Sequence, residues 1–237
     1  MRSRIKEYWH QYIRNKTVKL YGITIPIDYK LMNQQTILGI ESGEYEQEEA
    51  NACFDVVNSV DRVLEIGAGI GFISSICAQI CGSENVLCYE ANPGLEDLIL
   101  RTHELNAVSP RLRMRAIAPA AGNTSFYVNE DIVSSGILDK NVGTRTIVQA
   151  DVLSEVLTEW CPNVLIVDIE GAEINLLGTT DLSIIDLLIV EFHPRIVGEK
   201  AIDALIAKLT QSGLNLYAGD PGGVAQFKRD LGSITQN

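Results

Sequence analysis

No apolar run in this chain approaches the ~20 residues that a membrane-crossing helix needs; the longest candidate, Ile184 to Val190, is interrupted by Asp186. The first residues, Met1-Arg-Ser-Arg-Ile-Lys-Glu-Tyr8, are basic with no hydrophobic stretch behind them, so no secretory leader is expected. Repeats and low-complexity segments are absent, which excludes solenoid and disordered classes. No two cysteines stand in Cys-x-x-Cys spacing, and five is an odd number. Cys77 and Cys81 fall on one helix face with Ile73, Ile76 and Ile80, so buried free thiols in a reducing, cytoplasmic setting are expected. Basic residues are scarce: 19 Lys and Arg stand against 31 Asp and Glu, a net charge of −12. Residues 1–19 alone carry +5, which leaves −17 on the remainder. A body this acidic repels phosphate backbones, so nucleic acid is not an expected partner. The basic arm could dock an acidic partner or a membrane surface.

What remains is a 237-residue chain, 46% hydrophobic with 19 glycines, long enough for one large domain with an appendage. The division expected is 1–58, a basic arm, hairpin and lid helix, and 59–237, the main domain. Val18 to Ile27 reads as two short β runs around Gly22, and Glu44 opens an acidic helical stretch running through Val57. From Val60 strands and helices alternate. Strands are expected at Arg62–Ile66, Asn85–Glu90, Arg111–Ile117, Asn163–Asp168 and Leu187–Glu191, with terminal runs at Leu214–Tyr217 and Val224–Phe227. Helices are expected at Gly71–Ile80, Pro93–Asn106, Ala150–Trp160, from Ala172, and at Glu199–Gln211. Repeated βα units imply right-handed crossovers and a doubly wound α/β fold, its mainly parallel sheet of seven strands covered on both faces. Arg111, Arg113 and Arg115 share one face of the third strand, read as a solvated face near the sheet edge. Ligands of such sheets bind beyond the carboxyl ends of the strands.

After the first regular strand comes Glu65-Ile-Gly67-Ala-Gly69-Ile-Gly71, a turn that lets backbone approach a ligand closely ahead of a helix N-terminus. The dinucleotide pattern G-x-G-x-x-G fails in both frames, at Phe72 and at Ser74, and Glu65 would repel a pyrophosphate. A cationic ligand such as the sulfonium and ammonium of S-adenosylmethionine suits Glu65 better. Glu90 ends the second strand 19 residues after Gly71, where a carboxylate can accept both ribose hydroxyls of an adenosine. Asp168-Ile-Glu170-Gly-Ala-Glu173 places three carboxylates where a strand opens into a helix, Glu170 and Glu173 being read as three apart on its first turn. His193, just past the fifth strand, has an unperturbed pKa of about 6.5 that suits a base at neutral pH. Glu170 and Glu173 are rival bases, and a histidine that merely orients the Pro194 turn is an equal alternative. Asp168, Glu170, Glu173, Glu191 and His193 could also hold a hard cation, but no ligand spacing is diagnostic, so no metal is expected. Ser134 and Ser135 lie on the long connection after strand three, a common place for substrate contacts.

Glu-x-Gly-x-Gly-x-Gly with the acidic end of strand two resembles class I S-adenosylmethionine-dependent methyltransferases, of Rossmann-like fold. Gly43-Glu-Tyr-Glu46, Arg115-Ala-Ile-Ala118, Asp168-Ile-Glu-Gly-Ala-Glu173 and Glu191-Phe-His-Pro194 narrow the resemblance to the FkbM family, in order from about Val18 to Leu216. It departs at Ile166, where that family commonly carries lysine. The resemblance implies O-methylation of a small molecule or glycan hydroxyl. It also implies a cofactor site bordered by Glu46, Glu65, Gly67, Ala68, Gly69, Gly71, Glu90, Ala91, Ala116, Ile117 and Asp168, with Tyr45 over the cleft toward substrate. Asp168, Glu170, Glu173 and His193 would carry the chemistry. A nicotinamide-dependent oxidoreductase and an inactive cofactor-binding scaffold are the rival readings.

Overall fold

The computed structural model describes residues 16–128 and 144–230. A hairpin opens it, β1 (Thr17–Leu20) pairing antiparallel with β2 (Ile23–Pro26). Tyr21 and Gly22, at φ 49° and 86°, supply the two left-handed residues of a tight hairpin turn. Two helices follow, α1 (Gln34–Ser42) and α2 (Gln47–Val56). The regular part runs β3 (Val63–Ile66), α3 (Phe72–Cys81), β4 (Val86–Tyr89), α4 (Glu96–Leu105) and β5 (Arg111–Arg113). Next come β6 (Ala116–Ile117), β7 (Gly122–Val128), β8 (Thr144–Asp151), α5 (Leu153–Trp160), β9 (Val164–Val167) and α6 (Glu173–Thr179). The chain ends through β10 (Leu187–Glu191), α7 (Pro194–Val197), α8 (Glu199–Gln211), β11 (Leu214–Gly219) and β12 (Val224–Arg229). No described helix is long and apolar enough to cross a membrane.

The main sheet has seven strands in the order β11-β12-β10-β9-β3-β4-β5, parallel except for β12, which runs antiparallel to both β10 and β11. Strand side chains alternate between faces. Val63, Val86, Val164 and Ile166 point into one layer with the hairpin and helices α1 to α4. Leu64, Leu87, Leu165 and Leu188 point into the other, against α5, α6 and α8. The hairpin and both early helices thus share the sheet's own core. The same parity governs the site. Glu65, Glu90, Asp168 and Glu191 all continue the first set, so four acidic residues from four adjacent strands emerge on the face that α2 and α3 cover.

Three local readings are corrected. The third strand stops at Arg113: the Arg115 amide donates to Arg113 O at 2.9 Å in a tight turn at Met114. Ala116 and Ile117 then join a separate three-stranded sheet, β6-β8-β7. Arg111 and Arg113 sit on the edge strand and Arg115 just past it, but each has a partner: Arg111 lies over Trp160, Arg113 pairs with Glu159, and Arg115 pairs with Asp151 at 2.9 Å. Ala150 and Asp151 close β8, so the following helix begins only at Leu153. Glu44 lies outside the helix and Tyr45 and Glu46 form a turn, because Glu46 adopts φ 43° and the helix starts after it. Helix α1 was not anticipated. Cys53, Cys77, Cys81 and Cys88 are buried free thiols, whereas Cys161 is exposed.

Candidate active site

Gly67, Gly69 and Gly71 all take positive φ (97°, 54° and 78°), which only glycine adopts without strain. At Gly67 the requirement is absolute, since a Cβ would stand 1.8 Å from the backbone oxygen of Asp168. The amides of Gly67 and Ala68 both donate to Tyr89 O, at 3.0 and 2.9 Å, which seats the turn on the end of β4. Glu90 completes the seat: its Oε2 accepts the Gly69 amide at 3.0 Å and its Oε1 accepts Asn92 at 2.7 Å. Burial pushes the Glu90 carboxyl up to about 7, held from rising further by those amides. A carboxylate has about four acceptor positions, so beside the amides of Asn92, Gly69 and Ala91 it retains capacity for a hydroxyl donor.

Tyr45 and Glu46 reach the same turn from outside the sheet. A Cβ at Gly69 would lie 3.6 Å from both the Tyr45 hydroxyl and Glu46 Oε1. That hydroxyl is closed off from solvent and has no hydrogen-bond partner. Burial, then the neighbouring Glu49, holds the Glu46 carboxyl well above the usual range. On the opposite wall Ala91 packs against the small cluster that contains Ala116. Ile117 turns its side chain into the core, so only its backbone can border the cleft.

Glu65 does not open into the cleft. Strand parity seals it under α3 at 2% exposure, where burial raises its pKa to about 8 against the opposing contacts of Ser74. Beneath Gly71, His103 Nε2 lies 3.0 Å from Ser74 Oγ, and burial lowers this imidazole to about 4, so it is neutral. No sequence pattern singled out His103, because its neighbours are set by how α3 and α4 pack.

The second half of the site lies at the ends of β9 and β10. Their register pairs Val167 with Val190, which sets Asp168 beside Glu191 one residue further on. Glu170 precedes helix α6 and takes φ 47°, so it does not sit on the first helical turn with Glu173 as expected. Strain of this kind in a non-glycine residue concentrates at functional sites. Glu173, at 0% exposure, is withdrawn behind the site. Its Oε1 accepts the His193 amide at 3.1 Å and lies 3.4 Å from Nδ1. That leaves Nε2 facing Asp168 Oδ1 at 3.7 Å and Glu170 Oε2 at 3.9 Å. Burial opposes charge on His193, yet the Glu173 contact and the charges of Glu191, Glu173 and Glu170 together raise its pKa.

From α2, Glu49 adds another carboxylate that the sequence reading missed; burial and Glu191 raise it to about 7. Burial and Asp168 in turn raise Glu191 to about 8, while burial, Glu46 and Glu49 hold Asp168 well above its ordinary value. The structure therefore gathers Glu46, Glu49, Asp168, Glu170, Glu191 and His193 at the strand ends beside the glycine turn, with Glu173 behind His193. Ser134 and Ser135 lie outside the described residues.

The glycine cradle, the spare lone pairs of Glu90 and the unpartnered Tyr45 hydroxyl fit a nucleoside-bearing cation. Residues 65–216 match the family described as "Methyltransferase FkbM domain", a match that begins after Gly43–Glu46. Among solved structures, M. jannaschii TYW2 in complex with AdoMet is 18% identical, covering 91% of this chain and 87% of that one, with a TM-score of 0.48. The Pyrococcus abyssi tRNA (uracil-54, C5)-methyltransferase in complex with S-adenosyl-L-homocysteine is 11% identical, covering 91% of this chain, with a TM-score of 0.50. This chain spans 43% of that protein's length. Cofactor-bound Rv0187 from MTB is 13% identical, covering 77% of this chain and 79% of that one, with a TM-score of 0.48. Identities this low are a likeness of fold alone. No curated protein matches.

Proposed function

The chain belongs to the FkbM methyltransferase family, and from that premise we propose that it methylates a hydroxyl oxygen of a small molecule or sugar. Its methyl donor is S-adenosylmethionine, which supplies an electrophilic methyl group on a sulfonium. The nicotinamide-dependent reading is set aside by that membership. Gly67, Ala68, Gly69, Gly71 and Glu90, with Ala91, Ala116 and the Ile117 backbone, hold the donor. Glu90 takes its ribose, and Tyr45 and Glu46 close over it.

One observation carries the choice of oxygen. A hydroxyl must shed a proton as it attacks, whereas a neutral amine attacks through its lone pair, and beside the glycine turn stands a proton-accepting cluster. Glu173 is too deeply buried to meet a substrate. It acts by orienting His193, and the groups that can receive the proton are His193 Nε2 and Glu170, with Asp168 completing the wall. The P. abyssi neighbour is named for tRNA, but an acceptor rich in phosphate would meet a chain of net charge −12 unfavourably.

The test is incubation with S-adenosylmethionine carrying a ¹³C-methyl group and a panel of polyols, sugars, amines and transcribed tRNA. An O–CH3 resonance in a polyol or sugar supports the reading. An N- or C-methyl product, or label in tRNA alone, overturns it. Absence of S-adenosylhomocysteine with every acceptor would favour the inactive scaffold.

A further inference from the structure

Asp168, Glu191 and His193 each bring one ligand atom to a common point, all within 4.8 Å of one another. Asp168 and Glu191 are neighbours because parallel strands β9 and β10 run in register, and His193 follows Glu191 with the same parity. The imidazole is not free to turn away. Glu173 Oε1 lies 3.4 Å from Nδ1 and also accepts the His193 amide, an arrangement that leaves the Nε2 lone pair toward Asp168. A carboxylate behind the far ring nitrogen is the outer support that metal-bound histidines carry.

One atom at this point lacks what it needs. Asp168 Oδ1 is closed off from solvent and has no hydrogen-bond partner, although it lies 3.7 Å from Nε2. A buried carboxylate oxygen without a donor is costly, and the cost is removed by a cation. Among the described residues, the only basic side chain in an ion pair with Asp168 or Glu173 is His193 itself.

We propose that Asp168, Glu191 and His193 bind a single divalent cation, and that this cation takes the acceptor's hydroxyl oxygen as a further ligand. The inference rests on the O-methyltransferase reading and deepens it. One imidazole with two carboxylates is a mixed donor set, harder than zinc sites rich in thiolate or imidazole and suited to Mn²⁺ and Mg²⁺. Octahedral bonds of ~2.1 Å put adjacent ligand atoms ~3 Å apart, so Asp168 and His193, at 3.7 Å, need close by less than about 1 Å, and no pair, all being within 4.8 Å, by more than about 2 Å. Three protein ligands leave positions open for a hydroxyl and water. The cation lowers the pKa of the bound hydroxyl, as it does that of bound water. With Nε2 occupied, the O–H proton passes to Glu170, and the negative charge left on oxygen rests against the cation.

Mn²⁺ is the probe, added to the full chain with S-adenosylhomocysteine present. Loss of the free-ion electron paramagnetic resonance signal counts the sites, and calorimetry gives the affinity. The result expected is one saturable site per chain, weakened at least tenfold in Glu191→Gln and in His193→Ala and unchanged in Glu155→Gln, an exposed position on α5. Absence of saturable binding by the unaltered chain overturns the proposal whatever the variants do, as does an affinity indifferent to both site substitutions. Turnover unaffected by a chelator, with no Mn²⁺ bound, also overturns it and leaves the carboxylates to a positively charged acceptor. S-adenosylmethionine affinity, measured on the same samples without metal, reports separately on the methyltransferase reading.

Discussion

The carboxylate of Glu90 accepts the Gly69 amide at 3.0 Å, tying the end of one strand to the turn that follows its neighbour. The residue read from sequence as a ribose acceptor is therefore also a structural clamp, because its other oxygen holds Asn92. Alanine at 90 would orphan both amides, at about 1–3 kcal/mol for each buried donor left unmet. Glu90→Ala is expected to lower the melting temperature and to weaken S-adenosylmethionine binding by more than tenfold. Glu90→Asp, which keeps the charge on a shorter reach, separates the two roles. Calorimetry showing full cofactor affinity in both variants would remove Glu90 from the cofactor site.

Gly67→Ala places a methyl group against the Asp168 carbonyl, a backbone atom that cannot swing aside. Positive φ adds strain of about 1–3 kcal/mol. Urea denaturation should report a loss at least that large, together with loss of cofactor binding. A variant as stable as the parent would mean that the turn takes another shape.

Two buried groups contribute to the pH dependence of the cofactor-free protein with opposite signs. Glu65 titrates at about 8 in the fold against about 4.5 unfolded, so its contribution is full below the unfolded value and is lost as pH rises through 8. His103 titrates at about 4 against about 6.5, so its contribution is full above 6.5 and is lost as pH falls toward 4. Glu65→Gln should gain on the parent between pH 6 and 9. His103→Gln should flatten the acid limb. Thermal melts across pH 4–9 check both, and parallel curves for parent and variants would refute the assignment.

Glu173 acts through His193 and not on substrate. Loss of an outer carboxylate that orients a histidine costs about 10–100-fold in activity or metal affinity. Glu173→Gln should lower kcat by that order while leaving S-adenosylmethionine affinity intact, since Glu173 lies away from the glycine turn. An unchanged kcat would return His193 to a role in shaping the Pro194 turn.

Much of this was legible in the chain. The short apolar runs at Val63–Ile66, Val164–Val167 and Leu187–Val190 are local patterns, and the strands stand within a residue or two of where these put them. Gly67, Gly69 and Gly71 announced a positive-φ backbone that other residues adopt only with strain, and it is present. The errors arose where a distant partner decides. Arg111–Ile117 looks continuous, yet the turn at Met114 sends Ala116 and Ile117 to pair with β8. Glu65 looks like a cleft residue beside a cationic ligand until strand parity buries it under α3.

Short stretches of chain were enough to specify the main sheet's strands, the glycine turn and the residue types at the strand ends, because apolar runs and positive φ are properties of a few consecutive residues. Tertiary structure alone decided that Glu49 meets Glu191, that Asp168 stands beside it, and that Glu173 retreats to hold His193. Those encounters depend on strand register and on how α2 lies across the sheet. Both are settled by packing between segments far apart in the chain, where no local spacing carries the information.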